Sequence, residues 1–174
     1  MTSTGPLREQ ARSHLQRVGG DYDPQGEVNL PGFAGSMTAY GLAVTALAAL
    51  ARARGEHAPE RFAVSDLVVG GVATHKLTRL LSHSSVASPL RAPFTQFEEA
   101  AGSGEHTESP RGHGVRHTVG ELLTCPFCLG VWVSTAYVAG LVVAPRAART
   151  VSAALTVSAV SDTLQHVYAR LRAD

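Results

Sequence analysis

Four stretches of the chain are apolar for long enough to demand burial, and polar segments rich in Gly, Pro, Ser and His separate them. No formal charge occurs between Glu27 and Arg52, and Ala34 to Ala51 reads as a helix at the lower edge of the roughly 17–25 residues that span hydrocarbon. Phe62 to Leu81 forms the second element, apolar at first with Asp66 embedded, then polar through His75, Lys76 and Arg79. From Ser82 to Thr118 the apolar pattern stops. The stretch GSGEHTESPRGHG has no apolar period, which predicts a flexible loop over 98–116. Leu122 to Pro145 is the strongest segment, uncharged throughout, with Pro126 suited to a first helical turn and Pro145 closing it. The fourth segment, Thr150 to Ser161, is apolar up to Asp162 and then amphipathic, which suits an αα-hairpin with the third.

Ahead of these lies a polar N-terminal arm, residues 1–33, whose basic positions are not followed at once by an apolar core as in a secretory signal. The remainder, 34–172, reads as one helical membrane domain. If all four elements cross, ten of the fifteen Lys and Arg fall on the side of the termini and of the long loop. The positive-inside rule then places both termini in the cytoplasm.

Composition sharpens this reading without supplying a reaction. Charged residues make up 17% of the chain, against about 25% in a typical soluble domain. Hydrophobic residues are 44% but aromatics only 6%, so Ala, Val and Leu carry the apolar character. A net charge of +1 argues against a nucleic-acid partner. Two Cys exclude a disulfide-dense scaffold.

Cys125-Pro126-Phe127-Cys128 is the sharpest local motif. Two thiols three apart at a helix start share a face, and the helix N-terminus favours a thiolate. A redox pair, half of a zinc site completed by His113 and His117, and simple packing at a helix mouth are the three readings. Asp66 and Asp162 are carboxylates within apolar segments and need partners, for which His75 and Arg79 are candidates. They mark either a proton or ion path or, as the favoured reading, a structural salt bridge pinning two helices or simply carboxylates at the membrane–water boundary. Trp132 reads as a packing or interfacial anchor.

Several of these pieces occur together in one family. Asp66 with ATHKLTRLL (Ala73–Leu81), PLRAPF (Pro89–Phe94), GELLTCPFCLGVW (Gly120–Trp132), APR (Ala144–Arg146) and SDTLQHVY (Ser161–Tyr168) stand in order along the chain. From about Phe62 to Arg170 the sequence resembles the bacterial domain of unknown function 1360 family, small predicted membrane proteins that include one named a sporulation protein. The resemblance implies a membrane location and no particular activity. It makes Asp66, Arg79, Arg91, Cys125, Cys128, Gly130 and Trp132 motif positions, while His113 and His117 fall outside the pattern, which weakens the zinc reading.

The expectation is therefore an all-α, multi-pass bacterial membrane protein with about four membrane-associated helices and a long polar loop between the second and third. It is expected to act as a non-catalytic scaffold or interaction protein whose partners are the bilayer and a protein or a second copy of itself. No cofactor is expected, zinc at Cys125 and Cys128 being the exception to be weighed. Membrane thiol–disulfide or metal chemistry at Cys125 and Cys128, and a soluble helical domain, are the alternatives.

Overall fold

In a computed structural model, residues 17–173 are described and are mostly helical. The first sixteen residues of the expected arm, with Arg8 and Arg12, lie outside the described residues. Helix α1, Leu30–Ala53, starts four residues earlier than the charge-free pattern suggests. The Asn29 side chain accepts from the Gly32 N–H and so satisfies one of the free donors of the first turn, where Pro31 has none to offer. Helix α2, Val64–His83, follows a charged link. A 3₁₀ turn, Ser85–Ala87, and a short helix α3, Ser88–Arg91, lead out of it.

The segment expected as a flexible loop is instead an antiparallel hairpin. Strand β1, Thr95–Gly102, pairs with β2, Glu105–Pro110, in a register running from Thr95 opposite Pro110 to Gly102 opposite Glu105, with two bulges. Its turn needs left-handed backbone at Gly102, Ser103 and Gly104, with φ of 79°, 50° and 72°. The fold is thus helical with a small two-stranded sheet rather than all-α. The reason the pattern hides it is plain: β1 buries only Thr95, so no apolar alternation marks it.

Helix α4, Val115–Thr124, is separate from the apolar segment after it. The chain breaks at Cys125, whose backbone is extended (φ −107°, ψ 100°). Helix α5, Pro126–Val143, then begins with Pro126 in its first turn, as the sequence requires. A single residue, Ala144, separates α5 from α6, Pro145–Ala173. The fourth apolar segment is therefore the middle of a longer helix.

Helix α2 sits at the centre, packed on both α5 and α6, while α1 lies outside against α4 and α5. The ion pairs Asp66–Arg149 and Lys76–Asp162 set α2 and α6 side by side and pointing the same way. Gly70 lets the Tyr137 ring lie directly on the α2 backbone, because a Cβ there would come within 2.0 Å of a ring carbon. The Tyr137 hydroxyl donates to the Asp66 carbonyl (2.8 Å), and the Thr156 hydroxyl to that of Val69 (3.0 Å). Helix contacts here are thus made by small residues and hydrogen bonds.

Apolar burial is correspondingly slight. Among the described residues only Ala73, Ala87, Leu129 and Leu141 are buried hydrophobic side chains, and α1 buries none. Leu42, Leu67, Val68, Val131 and Val157 face outward instead. Among the described residues two helices, α1 and α5, are long and apolar enough to cross a membrane. At 1.5 Å per residue they extend about 36 and about 27 Å, against a hydrocarbon core of about 30 Å.

Candidate functional site

Three clusters organise the molecule, two of them polar. The first is built around Arg91, the last residue of α3, whose side chain is fully buried. Its Nε donates to Glu108 Oε2 (3.0 Å) and its Nη2 to Glu108 Oε1 (2.5 Å), a bidentate pair. Nη1 donates to the carbonyls of Leu81 (2.9 Å) and Ser84 (3.0 Å), which end α2. Glu108 also accepts from the hydroxyls of Thr95 (2.6 Å) and Ser88 (3.1 Å). Burial pushes the Glu108 carboxyl up, but the Arg91 and Thr95 donors outweigh it and hold its pKa below the usual value. One guanidinium thus fastens β2, and through Glu108 the Thr95 end of β1, to the end of α2. Arg79 adds a second tie, to Glu105 beside the turn.

Helix α4 closes over this platform. Gly120 packs against the Phe94 carbonyl and Pro110, where any Cβ would collide, and Arg116 Nε donates to the Pro93 carbonyl (2.7 Å). At the other end of α2, Asp66 accepts from Arg149 Nε (3.0 Å) and Nη2 (2.8 Å). Asp66 and Asp162 therefore pair with Arg149 and Lys76, in place of the expected His75 and Arg79. The cause is the side-by-side run of α2 and α6, which brings α6 to Asp66 and leaves Arg79 at the hairpin. His75 lines a polar groove between α2, α6 and the turn, near Lys76 and His166.

The third cluster surrounds the two Cys. Cys125 and Cys128 form a disulfide, with Cα atoms 5.2 Å apart. Cys125 Sγ accepts from the Cys128 N–H (3.1 Å), capping the helix it precedes. Cys128 is exposed and lines a crevice of 240 Å³ between α1, α4 and α5, walled largely by Phe33, Met37, Tyr40, Leu122, Val131 and Trp132. Tyr40 meets Trp132 edge to face with centroids 5.3 Å apart, and its hydroxyl is 2.7 Å from that of Thr135. Asn29 Nδ2 fixes the crevice floor by donating to Thr118 (2.9 Å) and to Glu121 (2.6 Å).

The structure does not bring His113 and His117 to the sulfurs as a ligand set. Among the described residues no three His, Cys, Asp or Glu groups gather to hold a metal, and His117 faces Glu121 at 3.7 Å. Gly130 lies on α5 with open space where a Cβ would be. Asn29, Glu108 and Thr118 are the residues that sequence reasoning missed. Their partners stand far along the chain or inside the unpatterned loop, and an Asn two residues before Pro31, near the head of the charge-free run, was their only signal.

The family profile described as Protein of unknown function (DUF1360) matches residues 69–168. Sporulation protein YjcA of Bacillus subtilis (strain 168) is 34% identical over 86 residues, covering 48% of this chain and 73% of that protein. No solved structure matches the chain.

Proposed function

The chain belongs to the DUF1360 family, and from that premise we propose that it is a four-span membrane scaffold presenting its hairpin to a protein partner. One observation carries the reading. Large apolar side chains point outward, while the carboxylates, Lys76, Arg149, Tyr137 and Thr156 find their partners between helices. Water would reverse that arrangement, and lipid favours it, since polar groups in hydrocarbon must be satisfied within the protein. Helices α2 and α6 join α1 and α5 as spans, so the link at 54–63 faces one compartment. The hairpin, Cys125 and both termini face the other, which the Lys/Arg bias makes the cytoplasm. A membrane scaffold also suits the sporulation role named for the Bacillus protein.

Topology reporters inserted at Glu56, at Ser103 and after Asp174 test this. Ser103 and Asp174 are expected to report one compartment and Glu56 the other. Release of the protein by carbonate, with a monodisperse detergent-free form, overturns it in favour of a soluble domain.

A second reading has its own observation: Cys128 is exposed at the start of α5 with its sulfur joined to Cys125. Such a pair supports thiol–disulfide exchange, because the helix N-terminus stabilises the departing thiolate. Cys125→Ser is expected to trap mixed disulfides through Cys128, and an untrapped variant removes this reading.

A further inference from the structure

We propose that the crevice beside Cys128 binds the ring of a lipid-soluble quinone, which takes electrons from the Cys125–Cys128 dithiol and leaves it as the disulfide. The inference rests on the thiol–disulfide reading and adds an electron acceptor to it.

Three features of the crevice select this occupant. Cys128, one half of the disulfide, forms part of its wall. The crevice opens between α1 and α5, both long and apolar enough to cross a bilayer, and near the start of each. That is the level at which a lipid-soluble ring meets the polar boundary. Its walls are flat or polarizable groups, Phe33, Met37, Tyr40 and Trp132, which suit a planar ring. The hydroxyl of Ser36 supplies a donor for a quinone oxygen. Size agrees: a cavity of about 150 Å³ admits benzene, and this one measures 240 Å³.

The chemistry balances. The two thiols form an S–S bond, each sulfur giving up one electron and one proton. The ring accepts both electrons, and its two oxygens accept the protons, yielding the hydroquinone. The pair is returned to the dithiol by a second dithiol, which becomes a disulfide through a mixed disulfide at exposed Cys128. The cytoplasmic placement proposed for this end gives the acceptor a purpose, since disulfides there are transient and must be regenerated.

The test uses the full chain, purified in detergent, reduced with dithiothreitol and freed of it without air. Decylubiquinone, a benzoquinone with every ring position substituted, is then added. One quinone reduced for every two thiols lost is expected, and no reduction when both Cys are replaced by Ser. Met37→Trp, which fills the crevice from α1 without touching the motif, is expected to slow the quinone step by about tenfold or more. Val157→Ala on the far helix leaves the rate as in the parent. Exchange of the disulfide with dithiothreitol, followed separately, distinguishes the two ideas. Exchange without quinone reduction overturns the acceptor and spares the thiol reading, whereas absence of both removes both. Quinone reduction unaffected by Met37→Trp, or persisting without the Cys pair, also overturns the proposal.

Discussion

Arg91 shows how much one side chain does here. It is fully buried, with Glu108 as its counter-ion and two helix-ending carbonyls as acceptors. Arg91→Ala strands the Glu108 carboxylate, a change that costs about 3–5 kcal/mol when a buried pair is broken. Hydrogen exchange of the β1 and β2 amides is expected to accelerate accordingly, while α5 and α6 stay protected. Replacing both partners, Arg91→Met with Glu108→Leu, is expected to cost less than the single change, because no orphan charge remains. The pH dependence has a definite sign. Glu108 titrates below its ordinary value of 4.5 in the folded protein, so its stabilising effect is complete above 4.5. It is lost as pH falls from there through the lowered value, and the same amide exchange reports it. At this scale the sequence was informative about which residues matter and silent about their partners. Arg79 and Arg91 could be singled out from the motif, but Glu105 and Glu108 lie in a stretch without apolar period, where polar bonds rather than burial set the fold.

Among the elements, α2 is the one on which the others depend. Gly70 and Gly71 look alike in sequence, yet only Gly70 lies beneath Tyr137, and a Cβ at Gly71 meets open space. Gly70→Ala is expected to push α2 and α5 apart at about 1–3 kcal/mol, as overpacking does. Gly71→Ala is expected to be neutral or to stabilise by up to about 1 kcal/mol, since Ala is the better helix former. Thermal unfolding in detergent, followed by circular dichroism, compares the two. The expected helices correspond to α1, α2, α5 and the middle of α6, because long charge-free runs and the prolines at 126 and 145 are local signals. Helix α4 and the hairpin were not legible. Their stability comes from Gly120 against Phe94 and Pro110, and from Arg116 on Pro93, contacts no short window contains. The crevice at Cys128 was hidden for the same reason: Phe33 and Met37 approach it from far along the chain.

For the whole molecule the consequence of outward apolar faces is a dependence on the solvent. With four buried apolar side chains among the described residues, little hydrophobic stabilisation is available in water. Diluting detergent below its micelle threshold is expected to drive association, visible as a shift to the void volume in size-exclusion chromatography.

One feature of the hairpin bears on how the protein is made. Among the described residues, the ties that fasten it to α2 (Arg79, Leu81, Ser84, Ser88, Arg91, Thr95, Glu105 and Glu108) fall within one unbroken length of chain that precedes α5. A growing polypeptide therefore carries everything this small platform needs before the ribosome has released α5. Contacts so close in sequence form early and at little entropic cost. The part of the protein before α5 can thus emerge with its surface-lying tip already finished, and α5 and α6 are left only to slot in alongside.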